Sequence, residues 1–103
     1  MTIEIGDELL TAFKERMRIF HDAEDTNLRR ILAGSVSALN ERFGLEVRKT
    51  GSGQELILER SRFVYNDKLE LFETAFASEL NRFAVTHTLK EEINESKNEA
   101  SIS

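Results

Sequence analysis

The 103-residue chain has no cysteine, no proline and no tryptophan, only one tyrosine and five glycines. The missing cysteine removes disulfides, thiolate metal sites, iron–sulfur clusters and thiol nucleophiles together, and fits synthesis in a reducing intracellular compartment. The missing proline removes the strongest helix breaker, so a chain with few glycines can be helical almost throughout. Uninterrupted apolar runs reach only three residues, as in Leu56-Ile57-Leu58, far short of the roughly 20 needed to span a bilayer as a helix. Basic charge is also in deficit, with 14 Lys and Arg against 19 Asp and Glu for a net charge of -5. No segment is a polybasic arm. An acidic chain repels the phosphate backbone and lacks the usual basis for nucleic-acid affinity.

What remains is helical periodicity. Leu9, Leu10, Phe13 and Met17 predict a first helix from about Gly6 to Met17, with Asp7 as its N-cap. Phe-His-Asp-Ala-Glu-Asp at 20–25 reads as a connection whose carboxylates cap the next helix or suit its first turn. Leu28, Ile31, Leu32, Val36, Leu39 and Phe43 define the second helix, which Gly44 should close as a left-handed terminator. Small residues Ala33, Gly34, Ser35 and Ser37 in its middle permit close approach of a neighbour. Residues 45–54 lose the period and contain Gly51-Ser52-Gly53, which predicts a mobile loop and hinge. From Glu55 a stripe runs through Leu58, Arg62, Tyr65, Leu69, Phe72, Phe76, Leu80 and Phe83, in helical phase throughout. It predicts one long bent helix or two nearly collinear ones, with Asp67-x-x-Glu70 as a capping box for the second.

The expected fold is therefore all-α, a small helical bundle over residues 1–84 with a mobile loop near 45–54 and a flexible C-terminal tail over 85–103. The tail is Glu, Lys, Asn and Ser with few large apolar residues, too few to offset ordering entropy alone.

No constellation calls for catalysis, a cofactor or a metal. The acidic cluster beside His21 lacks the glycine and ligand spacing of an EF-hand, and Thr50-Gly51-Ser52-Gly53 lacks the Gly-Lys-Ser/Thr ending of a phosphate loop. No serine has a histidine base near it in sequence, and no His-Glu-x-x-His helix exists. The eight-residue connection Ile19–Thr26 is too long for a helix-turn-helix. Interaction chemistry is better represented. Five of the eight aromatics fall between Phe63 and Phe83, and Arg60 and Arg62 carry guanidinium forks suited to interfaces. The candidate contact residues are Arg60, Arg62, Tyr65, Asn66, Phe72 and Phe76.

The order of parts, a short amphipathic helix, the turn from Arg16 to Asp25, the long helix TNLRRILAGSVSALNERFG, a glycine-containing loop and ELILERSRFVYNDKLELFETAF, resembles the small head-tail connector (adaptor) proteins of long-tailed bacteriophages. The most specific part is Glu59-Arg60-x-Arg62-Phe63-x-Tyr65-Asn66-Asp67, followed by Phe72-Glu73 and Phe76. The resemblance covers about residues 7–83. It implies a virion protein made in the host bacterial cytoplasm and located in the neck between head and tail. Such a protein has no enzymatic activity and assembles with itself as a ring, commonly of about twelve copies, on the portal protein. The ring extends the channel through which DNA passes, without sequence-specific DNA binding or membrane contact, and receives a stopper or other neck protein. Loop 45–54 and the tail after Val85 are the expected contacts with portal or stopper. The alternative is an intracellular helical interaction module, a regulator or an antitoxin-like partner.

Overall fold

The apolar spacing of the second helix is realised as read. In a computed structural model, which describes residues 3–87, Leu28, Leu32, Val36 and Leu39 are all at most 2% exposed along one side of a helix over Asp25–Phe43. Among the described residues the helices are α1 (Asp7–Met17), α2 (Asp25–Phe43), α3 (Gly51–Tyr65), the single turn α4 (Phe72–Ala75) and α5, which occupies 77–87. Short 3-10 turns at Val47–Lys49 and Leu69–Leu71 precede α3 and α4. The described residues contain no strand. No helix among them is long and apolar enough to cross a membrane.

The core lies where α1, α2 and α3 meet and α4–α5 close over them, filled by Phe13, Leu28, Leu32, Val36, Val47, Leu56, Ile57, Phe72, Leu80 and Phe83. Each large side chain buried there contributes about 1.5–3 kcal/mol. Ser35 from the small-residue stretch of α2 is fully buried and accepts a 2.8 Å hydrogen bond from the Ser61 hydroxyl of α3. Small side chains at that crossing bring the two backbones together, and the paired hydroxyls leave no orphaned polar atom.

Three left-handed residues end helices and set the chain path. Gly44, with φ 69°, terminates α2 as its position suggested, its N–H donating to Asn40 O at 2.8 Å. Arg18 (φ 58°) and Asp67 (φ 61°) do the same for α1 and α3 without being glycine. At Asp67 the N–H groups of Asp67 and Lys68 donate to Val64 O and Phe63 O at 3.1 and 2.8 Å, the double bond pattern of a Schellman stop.

That stop corrects the reading of 55–83 as one bent helix or two collinear ones. The chain reverses at Asn66–Asp67, and α5 returns antiparallel beside α3. Phe76 lies against Phe63 (ring centroids 5.8 Å), while Phe83 shares a groove with Leu56 two turns earlier on α3. The period persists because both helices of the hairpin present their apolar residues to the same interior. Asp67 is a terminator of α3, not the cap of a new helix. Likewise Asp7 is the first residue of α1 rather than its N-cap, which is Gly6.

Residues 45–54 form the expected connection, but it is folded tightly. Val47 is fully buried, and its N–H donates to Asn40 Oδ1 at 2.8 Å. Thr50 caps α3 by accepting from Gly53 N–H at 2.9 Å, so Gly51-Ser52-Gly53 is the first turn of a helix instead of a hinge. The periodicity missed this because a first turn beginning Gly-Ser-Gly carries no apolar residue. Of the expected tail, 85–87 belong to α5 and the rest lies outside the described residues.

The connection also carries an acid-sensitive bond. The Glu46 carboxylate accepts from the Arg48 N–H and pairs with its guanidinium, which with Asn40 holds its pKa at about 2 against an ordinary 4.5. A carboxyl lowered on folding stabilises fully above its unfolded pKa and loses that contribution as pH falls through the folded value. The difference in melting temperature between wild type and Glu46→Gln should therefore be largest at neutral pH and close between pH 4.5 and 2. A difference independent of pH across that window would show that the carboxylate charge contributes nothing.

Candidate interaction surface

The six candidate contact residues do not share one surface. Arg60 turns toward α2, where its guanidinium donates to Ser35 Oγ at 3.2 Å. Burial pushes its pKa down, opposed by the Glu73 charge. Arg62, one residue past the buried Ser61, is held by Glu59 at 2.8 Å and lies over the Phe63 ring at 5.0 Å. Tyr65 donates its hydroxyl to the Glu24 carboxylate at 3.0 Å, which raises the phenol pKa and ties the end of α3 to the start of α2. Asn66 is exposed, its amide donating to Arg62 O at 3.0 Å. Phe72 is 2% exposed, stacked on Phe76 (centroids 5.3 Å) and edge-on to Phe63 (5.8 Å). Phe76 is half-buried. The ridge is thus divided between core, intramolecular bonds and surface, with Phe72 belonging to the interior.

The large apolar side chains left in water are different ones: Phe20 at 86% exposure, Leu71 at 50%, Leu69 at 40% and Val85 at 57%. The Tyr65–Glu24 bond brings the α1–α2 connection that carries Phe20 to the end of α3, while Leu69 and Leu71 stand on the turn leading to Glu73, which pairs with Arg42 in the last turn of α2. Phe20 is outward for a local reason. Arg18 stops α1, its N–H donating to Glu15 O and the following Ile19 N–H to Lys14 O at 2.9 Å. Ile19 is thereby turned onto the core, which leaves its successor facing away. Sequence reasoning passed over Phe20 because it stood among capping residues, without a periodic partner.

The acidic cluster of that connection works as a clamp more than as a cap. Asp22 and Asp25 both accept from Lys14 Nζ, at 2.8 and 2.7 Å, and no carboxylate side chain caps α2. These bonds raise the Lys14 pKa and lower that of Asp22. His21 accepts from the Ala23 N–H at 3.3 Å. Among the described residues, no three His, Asp or Glu side chains are grouped to hold a metal ion.

Between α3 and α5 runs a groove of about 380 Å³, floored by Leu56, Phe76 and Phe83. Glu55 and Glu59 edge it from α3, both bonded to Arg16 of α1 at 2.8 and 3.1 Å. Glu79 and Arg82 edge it from α5, exposed and without an ion-pair partner among the described residues. An apolar floor between charged edges suits a protruding side chain with charged flanks.

In comparisons with known proteins, no protein-family model, no curated protein and no solved structure matches this chain.

Proposed function

We propose that this protein is a structural subunit of a bacteriophage neck, a head-tail connector that assembles as a ring on the portal protein and joins the head to the next neck component. The observation that carries the reading is the set of large apolar side chains that a filled core leaves in water, Phe20 at 86% exposure with Leu71 at 50% and Leu69 at 40%. A domain of this size with a filled core gains by burying such side chains against another chain. The resemblance of the Glu59–Phe76 segment supplies the type of assembly. The helical bundle and the acidic net charge, which does not grip DNA passing through a channel, agree with it.

Each subunit would offer one surface to a neighbour's different surface, the heterologous contact that closes into a ring when the rotation fits. The reading assigns no catalytic role to any residue. Light scattering and negative-stain imaging of the purified chain, alone and mixed with the portal protein of the same phage or prophage, test it. A closed annulus, or a portal complex with one copy per portal subunit, is the expected result. A discrete dimer indifferent to portal would favour the interaction-module alternative and sink the connector.

A further inference from the structure

We infer that Phe20 of one copy inserts into the α3–α5 groove of the next copy, as a pin that sets the subunit-to-subunit contact. The inference rests on the reading of the chain as a self-assembling subunit and names the two surfaces that meet. Phe20 is the most exposed large apolar side chain among the described residues, while the groove is an apolar-floored concavity lined by no residue of the 18–24 connection. Pin and groove of one protomer are therefore separate, as a heterologous contact requires and a self-complementary dimer patch does not.

Charge gives the direction. Phe20 is flanked two residues before by Arg18 and two residues after by Asp22. The groove is edged one helical turn apart by Glu79 and Arg82, an opposite pair in the same order of spacing. Arg18 is exposed and has no ion-pair partner among the described residues, and the Asp22 side chain is 90% exposed despite its bond to Lys14. Seating Phe20 between Leu56 and Phe83 would set Arg18 opposite Glu79 and Asp22 opposite Arg82, while Glu55 and Glu59 on the other edge are already paired with Arg16 of their own protomer. A groove of about 380 Å³ has room for a phenyl ring and part of its flanking backbone. The Schellman stop at Arg18 sets the backbone that leads into the pin before contact, which lowers the backbone part of the ordering entropy lost on docking.

The test uses the full chain with Phe20 replaced by the photoreactive aromatic p-benzoylphenylalanine, which keeps the ring. Irradiation, alone at high concentration and on portal, should give intermolecular adducts mapping to peptides that contain Leu56 or Phe83. Phe20→Asp and Glu79→Arg should each weaken self-association at least tenfold in sedimentation experiments, with helicity and melting temperature unchanged, since both side chains stand in solvent. Combining Arg18→Glu with Glu79→Arg should restore most of the loss. Adducts mapping elsewhere, or assemblies indifferent to Phe20→Asp, overturn the pin while leaving the connector reading intact. Correct adducts from a chain that never binds portal overturn the connector and leave the pin. A chain that is monomeric under every condition and gives no adduct overturns both.

Discussion

Replacing Gly53 with alanine is expected to destabilise the protein by about 3 kcal/mol, with a fall in melting temperature of roughly 15 °C for a domain of this size. A Cβ at Gly53 would stand 2.0 Å from the carbonyl oxygen of Val47 and 2.8 Å from Thr50 Oγ1. The first neighbour is backbone, so no side-chain rotation relieves it. The 3-10 turn at Val47–Lys49 must move, and with it Val47, which is fully buried and anchored through its N–H to Asn40. The Thr50 hydroxyl is displaced as well, and a lost helix cap alone costs about 1 kcal/mol. Gly51 is the internal control, since a Cβ there meets nothing within 4 Å. Gly51→Ala should be neutral or stabilising by up to about 1 kcal/mol, because alanine lowers the entropy of the unfolded chain. Thermal unfolding followed by circular dichroism separates the two. Equal behaviour of the variants would mean that the turn does not rest on Gly53.

The contrast between these two glycines shows where the sequence was legible. Helices α1 and α2 could be read because their buried residues recur on one face and Gly44 marks a stop. A tight backbone approach leaves no such trace: Gly51 and Gly53 are the same letter in a Thr-Gly-Ser-Gly run, and only the position of Val47 distinguishes them. Asp67 posed the same difficulty. Its left-handed φ is uncommon for a residue with a side chain, so a reversal there was hidden behind a stripe that continued in phase. Taking the stripe as one surface then made Phe72 an interface residue, when the hairpin turns it inward. Phe20 was lost for the opposite reason. It belongs to no stripe, and its exposure follows from a terminator at Arg18 that is not glycine.

Phe72→Ala should accordingly act through the fold of the single chain and cost about 3–5 kcal/mol, the range for removing a buried phenylalanine. The side chain is 2% exposed and in contact with the rings of both Phe63 and Phe76. Its loss removes transfer energy, leaves a cavity that those two rings fill only in part, and deletes two aromatic contacts worth about 0.5–1.5 kcal/mol each beyond area. The neighbouring Leu71 is half exposed, so Leu71→Ala should stay within about 0.5 kcal/mol. Urea unfolding of dilute protein, where self-association is absent, measures both without reference to assembly. If Phe72→Ala keeps the wild-type midpoint yet prevents assembly, the aromatic ridge lies on the surface and the hairpin closure of α5 on α3 is wrong. If it unfolds early, weaker assembly by this variant reports a damaged bundle. Under the proposed connector reading, the contact between copies must then be sought in side chains that their own protomer leaves uncovered, with Phe20 first among them.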